Sequence, residues 1–423
     1  MKKIFLIFLM ISLVLFTSCQ NMLDIYPHSA VAPASITEKD LPALEMGMYL
    51  SVQNNPTTES WILNDILGGT LTTSTSNFKD LINNTLNPLN SIVTNSFNGY
   101  FKALYQVNNV LAIVDNLNES VNRNRIKGTA HYFRALLYFN LVTKWGDMPI
   151  LRRNTLDNPI RQSTEQVWSF IEEDLDVAIS LLGTSKDYYY VSLDAAIAMK
   201  ARVMLSLGRK EEAARLAESL IISGKYSLDS FDKIFRKKQN NEIIFAFVNQ
   251  TEESTNSFGN LFYSYAHPNK GSYVYRPTPE TMKLYDDSDN RKAISIDSST
   301  GNDVINKYSG GQGERDPFNI SRLSEMYLIS AEAQGRISGV ERLNDLRKAR
   351  GLESIYPAND DDYINAILLE RKKEFLAEGF MYYDLVRTDK AIEQLGLLSY
   401  QQLLPIPNTE LILNSNFTPN PGY

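Results

Sequence analysis

The chain has 423 residues, 42 of them Lys or Arg and 49 Asp or Glu, and a formal net charge of −7 at pH 7. With 43% hydrophobic and 22% charged residues, and only 21 glycines and 16 prolines, its composition is globular and excludes collagen-like, low-complexity and broadly disordered classes. The acidic balance argues against a nucleic-acid partner, and the single cysteine, Cys19, excludes an internal disulfide and a cysteine-based metal site.

Taken in chain order, residues 1–19 read MKKIFLIFLMISLVLFTSC. Lys2 and Lys3 precede an apolar run over 4–16 that is broken only by Ser12. As a helix that run rises about 20 Å, too little for a hydrocarbon core of about 30 Å, so a cleaved export signal over 1–18 fits better than a span. Thr17 and Ser18 leading into Cys19 resemble the lipobox of bacterial lipoproteins, with Phe16 where Leu is commonest. The resemblance implies that Cys19 is the first mature residue and carries acyl chains, which anchor the body to a membrane without spanning it. Residues 19–40, with Pro27 and Pro33, read as a tether onto a single domain over 41–423.

Helical periodicity then dominates. Tyr100, Leu104, Val107 and Leu111 mark a helix over 97–117. A second covers 125–145 and is stopped by Gly146 and Pro149. A third covers 163–182, opened by a Ser163…Gln166 capping box and ended at Gly183. The pair 192–207 and 210–223 turns at Gly208, and Ala201, Gly208 and Ala213 stand at the small-residue positions of a tetratricopeptide (TPR) crossing. A similar pair follows at 322–334 and 340–349, with Gly335 and Gly339 in the connection. Several such pairs predict an all-α, TPR-like helix-pair solenoid with a continuous core. Two irregular insertions interrupt it, 54–96 and 240–320, the second with a strand-like run over 243–248. The Tyr188 to Tyr190 run reads as the lead-in to a hairpin.

Several strings carry a resemblance. Residues 134–150 read RALLYFNLVTKWGDMPI, 276–291 RPTPETMKLYDDSDNR and 322–333 RLSEMYLISAEA. Further on, 343–351 read LNDLRKARG, 370–387 ERKKEFLAEGFMYYDLVR, 404–410 LPIPNTE and 420–423 NPGY. In that order and with the lipobox, they resemble the SusD/RagB family of surface nutrient-binding lipoproteins. The resemblance implies four TPR-like helix pairs with loops and small strands on one side, and a place on the outer face of the outer membrane. It also implies a SusC-like TonB-dependent transporter as partner, to which captured glycans, or in some members peptides, are passed.

Sugar rings stack an apolar face on Trp or Tyr while their hydroxyls need Asn, Asp, Gln or Arg. Within the insertions, Trp61 with Asn64, Asp65 and Asn77, and Tyr265, Tyr273, Tyr275 and Tyr308 with their Asn- and Ser-rich surroundings, are the expected glycan contacts. Tyr263 shares that setting, whereas Tyr138, Tyr327, Tyr382, Tyr383, Trp145 and Trp168 sit at core positions.

Other patterns carry less. Glu370, Glu374 and Glu378 share one helical face, but glycoside hydrolysis needs two carboxyls facing each other across a substrate. They read instead as a solvated face laced with Arg371, Lys372 and Lys373. Asp286, Ser288, Asn290 and Asp297 echo a calcium loop that has Arg291 where glycine belongs. His28, His131 and His267 have no metal spacing, and the 310–313 Gly-Gly-Gln-Gly loop lacks the Lys-Ser/Thr of a phosphate cradle. No cofactor, metal or catalytic residue is expected. The expected function is therefore non-enzymatic glycan capture, with a peptide-capturing lid, an all-α glycoside hydrolase and a purely structural TPR scaffold as the alternatives.

Overall fold

The computed structural model describes residues 36–185 and 187–423, without the side chain of Asn77. Cys19, His28, the expected signal over 1–18 and residues 19–35 of the expected tether lie outside the described residues.

Helix α1 (Leu41–Asn54) is followed by α2 (Ser91–Val114), whose start is fixed by Asn90 accepting from the amides of Ile92 and Val93. Helix α3 (Val121–Trp145) is capped by Ser120 and closed by Gly146 at φ 74°. Both α2 and α3 begin a turn or more before the periodicity predicts, because their caps stand ahead of the first buried residues. Helix α4 (Thr164–Leu181) opens with the predicted Ser163–Gln166 capping box. Helices α5 (Leu193–Ser206) and α6 (Lys210–Ile221) form the predicted pair, with Ala201, Ala213 and Ala217 fully buried. Gly208 supplies the turn's positive φ and makes no close approach.

The span α7 (Leu323–Ala349) is interrupted at Gly335 (φ 73°), and its two arms fold back on each other. A Cβ at Gly339 would lie 2.0 Å from the Ala331 carbonyl oxygen, so only glycine fits this approach. Helices α8 (Asp360–Glu374) and α9 (Met381–Arg387) follow. Successive helices from α1 to α6 pack on one another, then α6 on α7 and α7 on α8. This is an all-α, TPR-like solenoid.

Among the described residues the strands are short: β1 (Leu71–Thr72), β2 (Ile243–Phe247), β3 (Arg276–Pro277), β4 (Ile296–Asp297), β5 (Val304–Ile305) and β6 (Phe318–Arg322). They pair antiparallel as β1–β3, β2–β6 and β4–β5. Strand β2 is buried throughout, and its Phe247 stacks on Phe133 of α3 at 5.8 Å. Tyr138, Tyr382, Tyr383 and Trp145 are buried as expected, and the Trp145 indole donates to the Pro405 carbonyl at 3.1 Å. Tyr327 and Trp168 are half-buried and pack against the core. His131 contacts Asp174 at 2.7 Å across the α3–α4 interface.

The expected solvated carboxylate face is corrected by the structure. Glu370 and Glu374 are 1% and 0% exposed, and they join a buried seam between the helical frame and the insertion. Glu374 receives Arg322 and Arg350 at 2.8 Å and Arg291 at 3.0 Å. Arg322 and Arg350 also hold Glu242 at 2.7 and 2.9 Å, Arg291 holds Glu370 at 2.6 Å, and Lys307 holds Glu378 at 2.7 Å. Burial would push the Glu374 carboxyl up, but the Arg350 and Arg322 guanidiniums outweigh it and hold it well below the usual range. The four cations, Arg291, Lys307, Arg322 and Arg350, come from separate stretches of chain, which is why helical spacing alone suggested water instead. Arg291, in the glycine position of the calcium-like loop, is buried in the same seam.

Candidate functional site

The β1–β3 pairing joins the two insertions, with Leu71 opposite Pro277 and Thr72 opposite Arg276. The Thr73 hydroxyl donates to the Val274 carbonyl at 2.6 Å and that of Thr281 to Thr70 at 2.7 Å. Beside this junction the chain turns through residues 263–273, closed by the Tyr273 amide to Tyr263 at 3.0 Å and the Tyr275 amide to Leu261 at 3.0 Å.

The turn carries the exposed aromatic face. Tyr265 is 73% exposed, and the Lys270 ammonium lies 5.3 Å from its ring centroid. Tyr273 is half-buried, and its hydroxyl donates to the Asp303 carbonyl at 2.8 Å. Burial pushes that hydroxyl's pKa up, and the neighbouring Arg276 opposes the shift. Lys270 and Tyr273 both have left-handed backbones (φ 48° and 49°), a conformation uncommon for side chains of this size and found where surroundings over-determine it. Ser272 and Asn260 bond each other at 3.1 Å on the same surface. Rings, amides, hydroxyls and two cations thus occur together along this turn and the strand that follows it.

The eight expected glycan contacts separate into two groups. Tyr265 and Tyr273 lie on this face. Tyr275 lies beneath it, fully buried, with its ring 5.7 Å from Phe78. The backbone of Asn77 lies in the Ser76–Phe78 turn beside that ring, and its side chain is outside the described residues.

Trp61, Asn64, Asp65 and Tyr308 gather elsewhere, around the 375–380 turn. The Trp61 indole donates to Gln53 at 3.1 Å, and its ring packs on Phe318 at 5.2 Å and Phe247 at 5.7 Å. Asn64 donates to the Gly379 carbonyl at 2.7 Å. The Asp65 carboxylate accepts from Ala377 at 2.9 Å and Gly379 at 2.5 Å, and Tyr308 donates to Ala377 at 2.8 Å. A Cβ at Gly379 (φ 85°) would strike the Trp61 carbonyl at 2.2 Å. Burial raises the Asp65 pKa to about 7. Trp61, Asn64 and Tyr308 also line a cavity of about 50 Å³, room for water but not for a sugar ring. Against expectation, then, Asn64, Asp65 and Tyr308 brace a turn with bonds to their own chain, Trp61 packs beside them with its indole bonded to Gln53, and Tyr275 is buried.

Lys270, Arg276 and Asp303 were missed by sequence reasoning, which followed aromatic content. The interleaving of Tyr with Lys and Arg over 265–276 was the available signal. Glu374 faces three arginines instead of an open cleft, and among the described residues no group of three or more His, Cys, Asp or Glu is placed to hold a metal.

The helical frame, with these loops and short strands grafted onto it, defines a TPR-like helix-pair solenoid. Two family models match: "Starch-binding associating with outer membrane" over residues 22–205, and "SusD family" over 304–402. Together they take in more than half of the chain, which belongs to the SusD/RagB family. A curated relative, SusD-like protein P38 of Formosa agariphila, is 25% identical over 93% of each chain. A SusD superfamily protein from Bacteroides vulgatus superposes with a TM-score of 0.83 at 19% identity, covering 92% of this chain and 99% of its own. Surface glycan-binding protein A from Bacteroides thetaiotaomicron, in complex with laminarihexaose, gives 0.79 at 20% identity, covering 91% and 100%.

Proposed function

We propose that this chain is a non-enzymatic, lipid-anchored receptor on the outer-membrane surface that captures glycans and delivers them to a SusC-like TonB-dependent transporter. The observation that carries the reading is the exposed face of Tyr265 and Tyr273 beside Lys270 and Arg276, held where the two insertions pair. Stacking on the rings supplies affinity, and the surrounding amides, hydroxyls and cations select hydroxyl patterns. Support comes from the family and from the laminarihexaose complex of a structural neighbour. The burial of Glu370 and Glu374 favours binding without turnover. No described helix is long and apolar enough to cross a membrane, in keeping with attachment through Cys19.

The test is a panel of soluble oligosaccharides titrated against the mature chain, with reducing-end release followed in parallel. Binding without release supports the proposal, and binding that Tyr265→Ala/Tyr273→Ala weakens at least about tenfold places the ligand on this face. Release of reducing ends would sink it. For the transporter, co-purification of a large outer-membrane barrel protein with the anchored chain is expected, and its loss in Cys19→Ala would trace assembly to the anchor.

A further inference from the structure

A second aromatic groove lies between α1 and the stretch 187–190, away from the 263–273 turn. It encloses about 340 Å³, and its walls are Met46 and Leu50 of α1 facing Tyr189 and Tyr190. Tyr190 is 42% exposed and stands edge-on to Tyr49 at 5.9 Å. Tyr49 is nearly buried, and its hydroxyl accepts from the Val191 amide at 2.7 Å. On the other side the Ala246 amide of β2 donates to the Tyr188 carbonyl at 3.0 Å. The tyrosine run leads into the α5–α6 hairpin as a strip held between a helix and a strand, with its rings set before any ligand arrives.

The rim is polar. Gln250 and Glu253 also line the groove and are exposed, and no side-chain hydrogen bond or ion pair ties either of them down among the described residues. Asp187 accepts from the Tyr189 amide at 2.9 Å, which fixes the strip's entry. Glu45, at the floor, is neutralised by Arg125 at 2.8 Å. Among the described residues no lysine or arginine lines the groove, and with Glu45 paired to Arg125 its lining keeps the carboxylates of Asp187 and Glu253, which disfavour an anionic ligand.

We propose that this groove is a second, independent carbohydrate site that holds a short uncharged oligosaccharide segment, stacked on Tyr190 and Tyr189 and hydrogen-bonded by Gln250 and Glu253. Its volume suits one or two sugar rings. Its carboxylate-bearing lining, with no cation among the described lining residues, separates it from the Tyr265–Tyr273 turn, where Lys270 and Arg276 would also accept acidic sugars. The inference shares its ligand class with the function proposed above but stands on different residues.

The experiment is calorimetric titration of the mature chain with laminarihexaose, cellohexaose and maltohexaose. The proteins compared are the wild type, Tyr265→Ala/Tyr273→Ala, and that variant with Tyr190→Ala added. The expected result is that the first variant keeps one site per chain for at least one hexasaccharide. Adding Tyr190→Ala should weaken that site at least about tenfold, and adding Gln250→Ala instead, a surface change that leaves the fold intact, about threefold. Trigalacturonate should not compete for it. The groove is overturned if no hexasaccharide binds the wild type, if the first variant binds none, if Tyr190→Ala in that background changes nothing, or if trigalacturonate competes. The reading of the Tyr265–Tyr273 face fails separately, if its double substitution leaves every affinity as in the wild type.

Discussion

The α5–α6 hairpin and the seam beneath the insertion solve one problem, joining two layers, with opposite chemistry. At the hairpin, Ala201, Ala213, Ala217 and Leu220 are 2% exposed or less, and contact is made by small apolar side chains of neighbouring helices. At the seam, Arg291, Arg322 and Arg350 converge on Glu374 and Glu242 with bond lengths of 2.7 to 3.1 Å. Apolar packing tolerates repacking, because any shape of about the right volume still excludes water. A buried ion cluster does not, since each charge left alone bears its full desolvation cost. The hairpin thus supplies bulk stability, while the seam sets where the loop-bearing insertion sits on the frame.

That contrast can be broken by measurement. The largest effect is expected for Glu374→Ala, which takes from three guanidiniums the carboxylate they share, leaves Glu242 and Glu370 to hold them, and should cost about 4 kcal/mol in urea denaturation or prevent folding outright. Leu220→Ala in the hairpin should cost about 3 kcal/mol by the same measurement. A Leu220→Ala chain less stable than Glu374→Ala would remove the distinction.

Lys144 sharpens it from another side. It is a buried cation that, among the described residues, donates to the Asn140 side chain at 2.8 Å and faces no carboxylate, and burial lowers its pKa to about 7. Its folded-state value lies below the unfolded one, so the protein loses stability as pH falls from about 10.5 to about 7. Lys144→Met should therefore raise stability by about 2 kcal/mol at pH 7, with the gain shrinking toward pH 10. A gain that grew with pH would refute the assignment. The smallest effect is expected at the exposed face, where Tyr265→Ala/Tyr273→Ala should move stability by less than about 0.5 kcal/mol while glycan affinity falls. A large loss of stability there would mean that the face is structural.

Much of the frame could be read along the chain because its cues are local. The Ser163–Gln166 box, the stop at Gly146 and the Gly208 turn each depend on residues within one turn of helix. The candidate site was only half legible. Tyr265 and Tyr273 were found by their polar surroundings, but the same rule also selected Tyr275 and Tyr308, which are buried. Aromatic content cannot tell a ring that faces water from one that faces a backbone turn, and nothing near Trp61 in sequence announces Gly379 against its carbonyl.

By itself, the sequence determined the class of fold, the family strings and the expected lipid attachment at Cys19, because periodicity, caps and motif order are properties of neighbouring residues. Only the tertiary structure decided that Glu374 is a buried hub and not a wet surface, and that Asp65 and Tyr308 brace a turn. It alone set the clamped strip of Tyr189 and Tyr190 against α1. Each of these depends on groups far apart in the chain, whose solvation is settled only when the layers close over them.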